Sequence, residues 1–210
     1  MIITISGAAS TGKTTLIEEL KQVTSNRKEI KYYGEFIRTL FEEHYKDKYD
    51  SYADLLQGDP LDIIALHKET ARLFNEVLWS NTNSHEILIF DRSPIDISIY
   101  LYLNLIPYLN FDNEYSIQIF KEYRKAVVYI SRCTQDFLNH RPTIYYTRPF
   151  PQDNIVDDGF RPTSLNKRRS LEIDLFNQTF YSLPEAISIL PDNLEDRVAM
   201  ITQAIICKPR

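Results

Sequence analysis

"SGAASTGKTT", residues 6–15, follows directly on the apolar run "IITIS" at 2–6. Gly7, four intervening residues and Gly12-Lys13-Thr14 fit the pattern G-x-x-x-x-G-K-[ST], whose backbone N–H groups cradle phosphates. The physical basis is specific. Successive N–H groups in such a loop form a concave seat for anions, and the helix that follows points its positive end at them. Gly7 and Gly12 allow the dihedrals and the close backbone approach that the seat requires. Gly7, Ala8, Ala9, Ser10, Thr11, Gly12, Lys13, Thr14 and Thr15 are therefore expected to bind ATP. Lys13 is expected at the β- and γ-phosphates, Thr14 on Mg²⁺ and Thr15 near the α-phosphate.

Working outward, the hydrophobic pattern alternates strand with helix. Residues 2–6 read as a strand, and a helix follows over 12–24 with Leu16, Ile17 and Leu20 on its apolar face. Strands are expected at 29–34, 86–90, 143–147 and 186–190. Helices are expected at 35–45, 59–79, 93–105, 112–139, 163–181 and 192–206, with Asp59-Pro60 and Ser93-Pro94 as starts. The segments 46–58 and 148–162 read as loops. Such alternation predicts an α/β domain with a mostly parallel sheet. Nothing in the 210 residues marks a linker or repeat, so a single domain over 1–210 is expected.

Composition narrows the partners. With a hydrophobic fraction of 43% and a charged fraction of 25%, the chain reads as ordinary and globular. A net charge of -5 counts against nucleic acid as partner, because duplex-tracking proteins present a basic face. No basic leader precedes the first apolar run, and no run approaches the length of a membrane span, so a cytoplasmic protein without membrane contact is expected. Cys133 and Cys207 lack metal-site spacing, and the four histidines are scattered. Association with further copies of the chain is left open.

Three further stretches bear on where the terminal phosphoryl goes. "EILIFDRSP", 86–94, is an apolar strand ending in Asp91, placed to hold Mg²⁺ through water; a helix cap is the plain alternative. Motor ATPases commonly place a glutamate after that aspartate to position water, but here Arg92 follows. A guanidinium cannot act as a base; it can bind a phosphoryl group or orient an acceptor. "YYGEFIRTL", 32–40, puts Glu35 just past the second strand and Arg38 on the same helical face. A carboxylate near the acceptor hydroxyl suits phosphoryl transfer, with Arg38 and Arg92 as further acceptor contacts. On periodicity alone, Glu35 also reads as a helix cap with a surface ion pair. "DDGFRPTSLNKRRS", 157–170, carries Arg161 and Arg168 in a basic segment, 148–170, suited to closing over a triphosphate.

Taken together, the loop at 7–14, "GEFIR" after strand two, "DRSPID" after strand three and "DGFR" before a helix resemble the NadR-like branch of P-loop ATPases and kinases. That branch includes ribosylnicotinamide kinase domains. The arrangement is also similar to deoxynucleoside kinases, although these usually carry proline where Phe36 stands. The resemblance implies a three-layer P-loop nucleotide-kinase fold, a five-stranded parallel sheet of order 2-3-1-4-5, and helices on both faces. It assigns catalytic roles to Lys13, Glu35, Asp91, Arg92 and Arg161, with Glu35 on the acceptor side and Asp91 on the magnesium side. The expected reaction is ATP- and Mg²⁺-dependent transfer to a small nucleoside-like or nucleotide acceptor. A nucleoside monophosphate kinase and a regulatory ATPase that switches a partner are the alternatives.

Overall fold

The computed structural model describes residues 1–9, 11–81, 85–109, 113–148, 166–181 and 187–207, with the side chains of 166–169 outside the description. Five strands, β1 (Ile2–Ser6), β2 (Ile30–Tyr33), β3 (Ile87–Asp91), β4 (Thr143–Tyr146) and β5 (Ile187–Ile189), form one sheet in the order β2-β3-β1-β4-β5. Every pairing is parallel. Around it lie α1 (Lys13–Val23), α2 (Phe36–His44), α3 (Tyr52–Gln57), α4 (Pro60–Ser80), α5 (Pro94–Leu105), α6 (Glu114–Asn139), α7 (Asn166–Tyr181) and α8 (Leu194–Ile206). Class, strand order and helices on both faces are as the sequence and its resemblance imply.

Strand residues alternate between two cores because side chains on a strand point to opposite faces. Ile3, Ile5, Ile87, Ile89 and Tyr145 pack with Leu16, Ile17 and Leu20 of α1 and Ile201 and Ile205 of α8. Leu88, Phe90, Ile144 and Tyr146 face the other way, against Phe74, Ile99, Phe137, Phe176 and Phe180 of α4, α5, α6 and α7. A third cluster is entirely helical and joins α2, α3, α4, α5 and α6 through residues such as Phe41, Leu55, Ile64, Leu101 and Ile130.

That third cluster corrects one expectation. Within 46–58, read as a loop, Tyr52–Gln57 is helical. The Ser51 side chain accepts from the Asp54 N–H and caps it, while Tyr52, Leu55 and Leu56 are buried. A six-residue helix is too short to persist alone. Burial of its apolar side against the helical layer holds it, a tertiary effect that polar local composition hides. The starts of two other helices follow the expected chemistry. Asp59 caps α4 with Pro60 first, and Ser93 with Asp96 forms a capping box at α5.

The central strand β1 lies between β3 and β4. The register sets Ile5 beside Asp91 and Ser6 beside Tyr146. The sheet's carboxyl edge at this point, where the order turns from β3 to β4 on either side of β1, is where open α/β sheets bind ligands.

Candidate active site

The phosphate-loop residues join β1 to α1. Ser10, the central residue of the loop, falls outside the described residues. Gly7 has φ +143° and Gly12 φ +78°. At Gly7 a Cβ would stand 2.4 Å from Thr147 Oγ1 and 2.6 Å from Thr147 O, so only glycine fits. The loop is braced from three sides. Thr11 Oγ1 lies 2.7 Å from Thr147 Oγ1, which in turn donates to Ser6 O at 3.0 Å. Arg197 of α8 donates through Nη1 to Thr11 O at 2.9 Å and through Nε to Pro191 O at 2.6 Å. The buried Asp96 carboxylate accepts from Gly7 N at 3.1 Å, Ser6 Oγ at 2.7 Å, Ser93 N at 2.8 Å and Ser93 Oγ at 2.6 Å. Asp96 thereby ties the first glycine of the loop to the start of α5, one turn beyond Asp91-Arg92.

Lys13 is buried, and its Nζ donates to Ala8 O at 2.6 Å and Thr11 Oγ1 at 3.3 Å. Thr14 and Thr15 are exposed at the first turn of α1. Asp91 closes β3 with little exposure, and its Oδ1 has no hydrogen-bond partner among the described residues. Loss of water pushes the Asp91 carboxyl above the ordinary aspartate range; Arg92 and Lys13 pull it down, while Glu35 and Asp96 push it further up. A buried carboxylate oxygen beside the phosphate loop, lacking a donor, fits a hydrated cation. Among the described residues no group of three or more metal-ligating side chains gathers. The residues at hand that could hold Mg²⁺, a cation that keeps several waters and takes substrate phosphate oxygens, are Thr14 through its hydroxyl and Asp91 through water.

Arg92 leaves β3 with φ +80°, a sparsely populated conformation for a residue with a Cβ. Outliers of this kind cost about 1–3 kcal/mol and gather at functional sites. The turn swings the guanidinium onto the Tyr100 ring, 4.6 Å from its centre, and sets Nε 2.5 Å from Glu35 Oε1. Its Nη1 is buried with no hydrogen-bond partner among the described residues. Desolvation opposes the Arg92 charge most, but the opposite charge of Glu35 with Tyr100, Asp91 and Asp96 outweighs it and raises the pKa above the ordinary arginine value.

Glu35 stands at the entry of α2, yet its side chain makes no capping hydrogen bond. Its two oxygens instead take Arg92 Nε and, at 2.8 Å, Arg38 Nε. The cap alternative for Glu35 therefore fails in favour of a three-residue cluster. The ion pair with Arg38 is real, with the arginine side chain 40% exposed, but Arg92 draws Glu35 into a buried centre.

Besides Ser10, two further sequence-predicted residues lie beyond reach. Arg161 is outside the described residues, and Arg168 lies in α7 with its side chain outside them. Most of the basic segment 148–170 is likewise outside them. In exchange the fold contributes residues the sequence reading missed: Asp96, Tyr100, Thr147, Glu172 and Arg197. Ser93-x-x-Asp96 carries a capping-box spacing that local reading can find. The rest carry no local signal, because each works through a partner on a distant element.

A family model described as AAA domain matches residues 2–197. No curated protein sequence matches the chain. Among solved structures, a deoxyadenosine kinase from M.mycoides with bound dATP superposes with a TM-score of 0.60 at 13% identity, covering 98% of this chain and 100% of that one. A thymidylate kinase from Ehrlichia chaffeensis superposes with a TM-score of 0.57 at 14% identity, covering 98% of both chains. A NadR protein in complex with NR gives a TM-score of 0.56 at 17% identity, covering 97% of this chain and 49% of that one. At such identities the likeness is one of fold: this chain has the fold of P-loop nucleoside and nucleotide kinases.

Proposed function

The chain belongs to the AAA domain family, and from that premise we propose that it transfers the terminal phosphoryl group of ATP to a small nucleoside-like or nucleotide acceptor. One observation carries the reading. At the end of β3, beside the phosphate loop, consecutive residues each hold a buried atom without a hydrogen-bond partner among the described residues: Asp91 Oδ1, an acceptor, and Arg92 Nη1, a donor. Buried polar atoms are satisfied in the great majority of cases, and exceptions gather where a ligand or ion completes the site. One orphan suits a hydrated cation, the other an acceptor oxygen or a transferring phosphoryl oxygen.

The residues divide the work accordingly. The loop amides and Lys13 hold the triphosphate and place its terminal phosphorus at the loop's outer end. Bound Mg²⁺, held by Thr14 and through water by Asp91, would neutralise charge on the β- and γ-phosphates. Glu35, fixed between Arg38 and Arg92, orients the acceptor hydroxyl and accepts its proton as the acceptor oxygen bonds to phosphorus and the bridge to ADP breaks. Arg92 Nη1 stabilises the charge that spreads over the transferring group, and the basic segment 148–170 supplies Arg161 and Arg168 to the same end. Arginine rather than glutamate after Asp91 disfavours water as acceptor. Because Glu35 already engages both Arg38 and Arg92, a hydroxyl acceptor fits this cluster better than a second phosphate, which would compete with the carboxylate for the same guanidinium groups.

A screen with ATP labelled on its terminal phosphate, run over nucleosides, ribosylnicotinamide, nucleoside monophosphates and oligonucleotides, tests the proposal. A labelled nucleoside-class product is expected. Release of inorganic phosphate with no labelled product in any class would overturn transfer and favour a nucleotide switch.

A further inference from the structure

Glu172 of α7 is buried, 163 positions along the chain from the phosphate loop, and its Oε1 accepts from the backbone N–H of Ala9 at 2.6 Å. The same oxygen accepts from Tyr100 Oη at 2.6 Å. A carboxylate thus occupies one of the loop's anion-binding amides. The position of that amide within the loop is telling. Lys13 Nζ, which serves the outer phosphates in loops of this pattern, donates to Ala8 O only one residue before it. The inner phosphates fall to the amides at the head of α1. The Ala9 N–H therefore lies at the outer end, where the terminal phosphate of a triphosphate arrives.

One N–H cannot bond a carboxylate and a phosphate oxygen at full strength together, and two anions at one donor repel. We propose that Glu172 senses the terminal phosphate: ATP expels its carboxylate from Ala9, whereas ADP, which lacks that phosphate, leaves it in place. The site then discriminates donor from spent product through an anion of its own. The displacement has a route to the acceptor side. Tyr100 gives up a hydrogen-bond acceptor when Glu172 leaves, and the Tyr100 ring lies under the Arg92 guanidinium that holds Glu35. This inference rests on the reading of residues 7–15 as a triphosphate seat.

Calorimetry with a non-hydrolysable ATP analogue and with ADP, in magnesium chloride, separates the two ideas. Glu172→Gln and Glu172→Ala are expected to bind the analogue about ten- to hundredfold more tightly than the unaltered protein, the range for losing one charge-assisted competitor. ADP affinity is expected to stay within about twofold of its starting value, since its phosphates are held elsewhere in the loop. Tyr100→Phe keeps the ring on Arg92, removes one donor to Glu172 and is expected to shift the ratio in the same direction by less. Analogue affinity that is unchanged or weaker in both Glu172 variants, with the unaltered protein binding normally, would overturn the sensor. A carboxylate that only props α7 would give that result. Failure of every form, unaltered protein included, to bind either nucleotide would instead remove the phosphate-loop reading beneath it.

Discussion

Glu35 and Arg92 stand 57 positions apart in the chain and 2.5 Å apart in space, the carboxylate accepting from the guanidinium Nε inside the protein. β2 ends just before Glu35 and β3 just before Arg92, and the two strands are neighbours in the sheet. Parallel pairing brings both carboxyl ends to one edge, so Glu35 and Arg92, the residue following Asp91, meet there. The consequence is an organised charge cluster of Glu35, Arg38 and Arg92, and the duties proposed for the site can be tested one residue at a time.

Glu35→Gln keeps the shape and a carbonyl oxygen for Arg92 but removes the negative charge. Transfer to a nucleoside acceptor is expected to fall by about 10²–10⁴-fold, the range for loss of a positioned acid–base group. The loss should lie mainly in kcat, with affinity for a non-hydrolysable ATP analogue unchanged. Steady-state kinetics beside calorimetry reads both. Full activity on a nucleoside would take the acceptor role from Glu35 and make a nucleotide acceptor the better reading, since phosphate oxygens need no deprotonation near neutral pH.

Asp91→Asn should show stability and function moving in opposite directions. Burial raises the Asp91 carboxyl above its usual range. Ionising it in the folded protein therefore carries a cost that is absent below the ordinary aspartate pKa and grows as pH rises through the raised folded value. The amide has no such cost. The variant is expected to melt higher at neutral pH, by about 2–4 °C for each kcal/mol relieved in a chain of this size, with the gain shrinking on acidification. It should also lose the extra stabilisation that Mg²⁺ gives in the presence of ATP. Melting curves with and without Mg²⁺ at several pH values check this, and an unaltered metal response would return Asp91 to a plain helix-start residue.

Lys13→Ala removes a buried ammonium that the fold holds on Ala8 O and Thr11 Oγ1. The chain should stay folded, as the main-chain bracing through Thr147, Asp96 and Arg197 is untouched. Affinity for the ATP analogue is expected to drop by about ten- to hundredfold, the equivalent of one charge-assisted contact. Circular dichroism and calorimetry together would expose the alternative, an intact protein whose nucleotide affinity does not move.

The two loop glycines should respond differently to alanine. At Gly7 a methyl would collide with Thr147 in addition to adopting a positive φ. A loss of about 2–5 kcal/mol is expected from overpacking and backbone strain together. At Gly12 the nearest atom is Arg197 Nη1 at an ordinary 3.6 Å, leaving backbone strain as the main cost. Gly12→Ala is expected to lose about 1–2 kcal/mol. Denaturant unfolding of the two variants measures the difference, and equal losses would contradict the packing described around Gly7.

Sequence alone carries the glycine-lysine motif at 6–15, the α/β alternation and all five strands, because these depend on local causes: glycine dihedrals, the order of Gly12-Lys13-Thr14, and hydrophobic periods of two and 3.6 residues. It also marks Glu35, Asp91 and Arg92 as candidates, since each stands at or just past the carboxyl end of a strand, the binding edge of such sheets. It missed α3, whose helix depends on burial of Tyr52, Leu55 and Leu56 rather than on local propensity. Packing of distant elements is what pairs Glu35 with Arg92 rather than leaving it to cap α2, turns Arg92 through a positive φ onto Tyr100, and sets Glu172 on Ala9. The Glu35–Arg92 and Glu172–Ala9 contacts join residues far apart in the chain, and Arg92 and Tyr100 stand on successive elements. No local pattern encodes such a contact, because chain geometry fixes neighbours only within a turn or a strand, while the order of strands in the sheet fixes the rest.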